Sequence, residues 1–448
     1  MRQADIVVLG GSAAGLAAAF TARRHYPDKS IILVRKEDQV LIPCGIPYIF
    51  GTLGTPQKNL IPDAGLEKNR VDLLLAEATD VDRGSKTVYT TEGEIGYERL
   101  VLATGSRPVM PPIPGFDLDG AYAVIKDVQF LDDLRQRLKT ADDVVVIGGG
   151  FIGIEFADEI NKMGDKNITV VELMEHCLSL AYDPEFCVEM EKRLESRGIR
   201  IRTSTRVEKM SGNGKVEKVI LSHGPEIRAD VVVLGIGAVA NVDLAKEMGL
   251  RIGLTGGIAV DRTMKTSDDY IFACGDCAEK ISFFGGKASP LKLASIATAE
   301  ARIAGANLFG IRRENVGTIG VWSTCVGDLA LATAGLTESM ATQQGYDVVA
   351  VTVHGPNRHP GVLPGAVKTS LKLVFERNSG VILGGQVMGD TTAGEMINAI
   401  SACVQSRMTA EQIAMFQMGT HPMLTASPIV YPLVGAAETA IGEMRKSQ

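Results

Sequence analysis

Short apolar runs along this 448-residue chain repeatedly give way to glycine turns and then to helix-favouring stretches. Asp5-Ile6-Val7-Val8-Leu9 reads as a strand, Gly10-Gly11-Ser12-Ala13-Ala14-Gly15 as a turn, and the Ala-rich stretch from Leu16 to Arg24 as a helix. The same order returns at Val144-Val145-Val146-Ile147, then Gly148-Gly149-Gly150-Phe151-Ile152-Gly153, then the helical stretch Ile154 to Met163. Two nucleotide-binding units are implied. In each, one glycine allows the tight turn, one lets the backbone approach a pyrophosphate, and one packs the helix on the sheet. The phosphates then meet the helix N-terminus, where amide groups and the dipole favour negative charge. Near the other end of the chain, Leu371 to Phe375 and Ile382 to Gln386 read as adjacent strands, with Asn378-Ser379-Gly380 as the turn between them.

The two units differ at the position that selects the nucleotide. In the second, the strand Ile168-Thr169-Val170-Val171 ends in Glu172, nineteen residues after Gly153. A carboxylate there accepts hydrogen bonds from the adenosine ribose and repels a 2′-phosphate, so NADH is expected over NADPH. Nineteen residues after Gly15 stands Val34, followed by Arg35 and Lys36. The acid is missing there, and the basic pair is a candidate for a ribose or phosphate contact.

Composition narrows the class. The 53 acids outweigh 46 bases, giving a net charge of −7, and no Lys/Arg run forms a basic patch. Nucleic acid is therefore not an expected partner. Glycine accounts for 49 residues, about 11% against an average of roughly 7%, as suits tight loops. The seven cysteines are odd in number and scattered, which argues against a disulfide framework and for a reducing, cytoplasmic setting. Ile6 to Phe20 holds three glycines and is shorter than the roughly 20 residues a spanning helix needs, so no membrane segment is expected there.

Further motifs follow in order: Leu102-Ala103-Thr104-Gly105 leading into Ser106-Arg107-Pro108, Leu234-Gly235-Ile236-Gly237 with Asn241 downstream, and Ala273-Cys274-Gly275-Asp276. Together with the two glycine turns they make the chain resemble, over nearly its whole length, the pyridine nucleotide–disulfide oxidoreductase flavoproteins. The resemblance implies an α/β fold with two Rossmann-like nucleotide-binding domains and a C-terminal α+β dimerisation domain. The expected boundaries are 1–120 and 246–320 for a discontinuous FAD domain, 121–245 for the NAD domain, and 321–448 for the last, which begins near Gly320-Val321-Trp322. For FAD it implies contacts from Gly10, Ser12, Ala13, Ala14, Gly15, Arg35, Lys36, Pro43, Ala78, Thr104, Gly105, Asp276 and Ala294. Asp276 would meet the flavin ribityl and pyrophosphate region. For NADH it implies Gly148, Gly150, Phe151, Ile152, Gly153, Glu172, Gly235 and Gly237, with Phe151 beside the nicotinamide and moving for hydride transfer.

The segment Pro43-Cys44-Gly45-Ile46-Pro47-Tyr48-Ile49 holds one cysteine where the two-cysteine reductases place a second five residues on. It resembles the single-cysteine branch, which includes coenzyme A-disulfide reductases, persulfide or polysulfide reductases, NADH oxidases and NADH peroxidases. Cys44 is the expected catalytic thiol, and its oxidised partner must come from the substrate as a mixed disulfide, a persulfide or a sulfenic acid. Oxidases and peroxidases of this kind carry a histidine in the first glycine turn; the matching residue here is Ala13, which favours sulfur substrates. Coenzyme A-disulfide reductases bring paired tyrosines, which His359-Pro360-Gly361-Val362-Leu363-Pro364-Gly365 lacks. Gly419-Thr420-His421-Pro422-Met423-Leu424-Thr425 resembles the segment whose histidine crosses the dimer as acid/base catalyst. His421 is the candidate for that role, although Ala426 stands where an orienting glutamate is usual.

Cys274 and Cys277 have C-x-x-C spacing with no second pair, so no metal site is expected. Cys177, Cys187, Cys325 and Cys403 read as small apolar fillers, and His354 and His359 as loop residues. The expectation is a homodimeric FAD-dependent NADH:disulfide or persulfide oxidoreductase acting on a low-molecular-weight disulfide, persulfide or polysulfide, with coenzyme A as a candidate substrate or adduct. An NADH oxidase or peroxidase working through a Cys44 sulfenic acid is the alternative within this chemistry. An electron-transfer flavoprotein subunit is the alternative outside it.

Overall fold

The computed structural model describes residues 1–446, and these divide into two compact units. The first comprises Met1–Pro112, Tyr122–Thr140 and Ile236–Thr318. Its sheet runs in the order 72–75, 31–35, 2–9, 93–102, 87–90, 78–82, with Ile271–Ala273 pairing on Gly93–Leu102. The strands Arg2–Leu9 and Ile31–Arg35 are parallel, with Ile6 opposite Ile31. Their unbroken apolar runs are those of strands covered on both faces: Ile6, Val7 and Val8 are fully buried. The helix Ala13–His25 packs against Ala294–Asn307. Small residues set that approach, since a Cβ at Gly305 would stand 2.5 Å from the Ala18 carbonyl oxygen.

The second unit comprises Ile113–Ala121, Ala141–Gly235 and residues 319–446. In it, Asp143–Ile147 pairs in parallel with Asn167–Val171 and with Val231–Leu234, and Arg200–Arg202 extends the sheet. The helix Phe151–Asn161 follows the glycine turn. A separate five-stranded antiparallel sheet runs in the order 321–326, 329–335, 382–389, 368–376, 348–356. The hairpin expected near Asn378 is present: Lys368–Glu376 and Ile382–Gly389 are antiparallel neighbours, with Leu371 opposite Val387. His354, expected in a loop, instead lies in the strand Val348–Pro356, where its Nδ1 is 2.8 Å from Ser370 Oγ.

The two compact units cross the expected boundaries at 120/121 and 245/246. Tyr122–Thr140 joins the first unit because the helix Val128–Thr140 buries Leu131, Leu134 and Leu138 and packs against the turn Pro56–Asn59. Residues 236–245 join it because Ala238–Ala240 pairs with Ser106–Pro108. The second unit is held together by a buried polar node. Asp183 accepts hydrogen bonds from Gln386 Nε2 at 2.5 Å, from the Ser339 amide at 3.1 Å and from Ser339 Oγ at 2.8 Å, and pairs with Lys372 Nζ at 3.0 Å. Hydrogen bonds and the Lys372 ammonium hold this carboxyl below its ordinary value despite the penalty of burial.

Candidate active site

Both glycine turns have the geometry that their spacing requires. A Cβ at Gly15 would stand 1.8 Å from the Gly10 carbonyl oxygen, and one at Gly153 would stand 1.8 Å from that of Gly148. No side chain larger than hydrogen fits at either place. The helices that follow, Ala13–His25 and Phe151–Asn161, have neither a side-chain N-cap hydrogen bond nor an acid in the first turn. Their leading amides are therefore not spent on side chains, which fits the pyrophosphates of FAD and NAD(H). Gly235 comes close to the second turn, where a Cβ would stand 3.1 Å from the Gly153 nitrogen.

Around the first turn, Asp276 lies in the short 3₁₀ turn Gly275–Cys277 and accepts from Ser106 Oγ at 2.7 Å. A Cβ on Gly275 would stand 2.7 Å from Ala14 Cβ, so the Asp276 segment adjoins the glycine turn. Thr104 Oγ1 donates to the Asn241 carbonyl at 2.8 Å, and Asn241 Nδ2 returns a bond to the Thr104 carbonyl at 2.9 Å, tying two of the sequence motifs together. Ala294 opens the helix Ala294–Asn307 and Ala78 opens the strand Ala78–Asp82.

The two members of the basic pair differ in their surroundings. The Arg35 side chain is 2% exposed and forks onto Asp63 with two contacts of 2.7 Å, while Nε and NH2 also donate to the Glu37 and Asp38 carbonyls. Its stem backs the turn, 2.4 Å from where a Gly11 Cβ would stand. Arg35 thus supports the turn, with its donors already engaged by protein. Lys36 is exposed and pairs with Glu77 at 3.2 Å.

Under this support lies an ion pair that the sequence did not reveal. Lys280 and Glu300 are both 2% exposed in their side chains and 3.0 Å apart. Lys280 Nζ also donates to the Gly275 and Ala278 carbonyls, and Glu300 Oε2 accepts from the Gly275 amide at 3.0 Å. Both residues thereby grip the turn that carries Asp276. Burial outweighs the attraction of Lys280 and pushes the Glu300 carboxyl up to about 7.

In the second turn, Glu172 stands beside the glycines as its spacing predicts. Its Oε2 accepts from the Gly149 amide at 2.5 Å and its Oε1 from the Met174 amide at 2.7 Å. The carboxylate therefore orders the turn. A partly buried acid of the helix Phe151–Asn161 that carries little local signal is Glu155, the lone acid in Phe151-Ile152-Gly153-Ile154-Glu155-Phe156. It accepts from Thr324 Oγ1 at 2.9 Å, and burial raises its carboxyl to about 7.

Because the folded value lies above the ordinary glutamate value of 4.5, folding with Glu155 ionised carries a penalty. That penalty is absent below pH about 4.5, grows up to pH about 7 and is constant above it. Glu155→Gln, neutral throughout, is expected to stabilise the protein at pH 8 by about 2–3 kcal/mol more than at pH 4.5. Denaturant unfolding of both variants at the two pH values measures this; equal increments would place the carboxyl in solvent-like surroundings.

Cys44 sits in the 3₁₀ turn Pro43–Gly45, with Pro43 at its first position, and is exposed. The turn is anchored by Asn59, 2% exposed, whose Nδ2 donates to the Ile42 carbonyl at 2.9 Å. Ile49, where a second thiol would be needed, is fully buried. Cys177, Cys187, Cys274, Cys277 and Cys403 are buried and Cys325 is partly so, which raises each thiol above its ordinary range. Cys277 Sγ donates to the Leu102 and Cys274 carbonyls. Among the described residues no group of three or more His, Cys, Asp or Glu is placed to hold a metal ion.

His421 is exposed, and its Nδ1 accepts from the Met423 amide at 3.2 Å, which leaves Nε2 to carry the proton of the neutral ring. His359 lies in a bend outside the strands and helices, as expected. Its Nδ1 is 3.0 Å from the Thr425 carbonyl and its amide donates to the Pro422 carbonyl, so it braces the His421 segment. Ala426, where a glutamate was sought, is 3% exposed and packs as core. No helix among the described residues is long and apolar enough to cross a membrane.

Comparison with known proteins agrees with this geometry. Residues 4–301 match the pyridine nucleotide-disulphide oxidoreductase model, and 321–428 match the dimerisation domain of the same group. An NAD(P)H coenzyme A polysulfide/persulfide reductase of Pyrococcus horikoshii is 34% identical over 86% of this chain and 87% of its own. An NADH oxidase of Methanocaldococcus jannaschii is 31% identical over 98% of this chain and 99% of its own. The solved structure of an NAD-dependent persulfide reductase from A. fulgidus superposes with a TM-score of 0.91 and 34% identity, covering 99% of this chain and 84% of that one. With two nucleotide turns, an Asp276 segment beside the first, an exposed thiol turn and a dimerisation sheet all in family order, the chain belongs to the pyridine nucleotide-disulphide oxidoreductase family.

Proposed function

We propose that this protein is a homodimeric, FAD-dependent NADH:persulfide or disulfide oxidoreductase of the cytoplasm, with Cys44 as its catalytic thiol. The observation that carries the reading is a single exposed cysteine on a rigid turn, with a buried isoleucine where an internal disulfide partner would have to be. When bound, FAD would supply the two-electron redox chemistry that couples NADH oxidation to reduction of sulfur. Cys44 attacks the substrate sulfur as thiolate and forms a Cys44–S–S–R bond from a disulfide, or a Cys44 persulfide from a persulfide, while the other sulfur leaves as a thiolate. Two-electron reduction of that adduct returns the Cys44 thiolate and releases the second thiol or hydrogen sulfide. Gly10 to Gly15, Thr104, Gly105 and Asp276 hold FAD in this reading, while Gly148 to Gly153, Glu172 and Gly235 hold NADH.

Mass spectrometry of the purified protein tests it. An added sulfur or a coenzyme A adduct on Cys44 is the expected result, and an unmodified Cys44 with no substrate-derived adduct during turnover would overturn it. The relatives named NADH oxidases favour a second reading, in which a single extra oxygen is found on Cys44.

Two variants probe the supporting groups. Glu172→Gln keeps an acceptor for the turn but removes the charge, and should erode the NADH over NADPH preference by about tenfold, the worth of one charge-assisted hydrogen bond. An unchanged ratio of kcat/KM values would leave Glu172 a turn-ordering residue only. In this reading the imidazolium form of His421 gives a proton to the departing thiolate at the Cys44 of the other subunit and is left as the neutral ring. His421→Ala should slow thiol release by about 10²-fold while NADH reduction of FAD is unchanged. Stopped-flow separation of the two half-reactions decides the point.

A further inference from the structure

In the second unit, the strand Val321–Val326 lies against the start of the helix Phe151–Asn161. Side chains two apart on a strand share a face, and so do side chains four apart on a helix. Trp322 and Thr324 accordingly meet Phe151 and Glu155. The Trp322 ring stacks on Phe151 with centroids 5.8 Å apart and planes inclined by 22°, and Thr324 Oγ1 donates to Glu155 Oε1 at 2.9 Å. Tyr182 also neighbours Phe151, with ring centroids 6.0 Å apart, and its hydroxyl is buried with no hydrogen-bond partner among the described residues. An unsatisfied hydroxyl beside this ring pair marks a place where a polar ligand group would be welcome. Phe151 and Trp322 are only partly buried, so this ring pair is not locked in a core.

We propose that Trp322 is a positioning residue for the nicotinamide end of NAD(H): its stack holds Phe151 across the nicotinamide position, and binding of the nicotinamide draws Phe151 off Trp322. This rests on the reading of the second glycine turn as the NADH site. It places a residue of the dimerisation domain in control of access to that site. The stack is the restraint, and its removal lowers the work of displacing Phe151. Aromatic pairs of this geometry are strong enough for their loss to change an equilibrium by about 2- to 10-fold.

Trp322 is the only tryptophan in the chain, so all tryptophan emission comes from this position. The FAD-loaded protein is titrated with NAD+ and, separately, with ADP-ribose, which has the adenosine and pyrophosphate but no nicotinamide. NAD+ should change the tryptophan emission saturably, ADP-ribose should not, and Phe151→Leu should lose the response. Calorimetry on Trp322→Ala should show NAD+ bound about 2- to 10-fold more tightly with ADP-ribose affinity unchanged, and Trp322→Phe, which keeps a stacked ring, should restore the wild-type value. The same emission change with both ligands, or none while calorimetry shows NAD+ bound, would overturn the role of Trp322 and leave the NADH site standing. Failure of both ligands to bind would overturn the NADH site and the inference with it.

Discussion

Cys44→Ser is expected to abolish disulfide and persulfide turnover while NADH still bleaches the flavin. Hydride delivery uses the nucleotide turns, whereas sulfur reduction needs a nucleophile that can form and release an S–S bond. Serine keeps the size of the turn residue and its exposed position, so the turn anchored by Asn59 should persist. No other cysteine is placed to substitute, since five are buried and Cys325 is partly so. In a reductive titration, wild type should take up one more electron pair than the serine variant before full reduction, because its Cys44 arrives carrying an oxidised partner. Equal titres with equal turnover would return Cys44 to a structural role. Retained delivery of electrons from NADH to a partner protein would instead favour an electron-transfer flavoprotein.

Lys280→Met should be the most destabilising of the substitutions considered. It strips the counter-ion from Glu300 and the donor from the Gly275 and Ala278 carbonyls, all of them buried. Breaking one side of a buried pair costs about 3–5 kcal/mol, whereas replacing both sides with apolar or neutral groups is often close to neutral. The double variant Lys280→Met with Glu300→Gln is therefore expected to recover most of that loss, a coupling that a double-mutant cycle in denaturant measures directly. Because the pair grips the turn carrying Asp276, the single variant should also bind FAD more weakly, and flavin release on dilution reads this independently of activity. Additive effects of the two substitutions would show that the pair does not act as a unit.

The sequence by itself determined those features whose cause is local. Two glycine turns, their apolar strands, the helix starts, the hairpin around Asn378 and the lone thiol of Pro43-Cys44-Gly45 could all be read along the chain. Each follows from backbone sterics or from burial of a short run, which a few consecutive residues encode. Glu172 was legible for the same reason, because a fixed strand-to-turn spacing puts it beside Gly149.

The tertiary structure decided what depends on partners brought from a distance. Arg35 looked like a ligand contact until Asp63, 28 residues on, engaged its guanidinium. Glu155 meets Thr324 across 169 residues, and His359 meets Thr425 across 66. The grouping of Tyr122–Thr140 with the first unit and the Lys280–Glu300 pair are of the same kind. A charged or polar side chain is not committed to one partner by its neighbours in sequence. Folding commits it, because a buried charge or hydrogen-bonding group is costly until the chain closes around it with the partner that satisfies it.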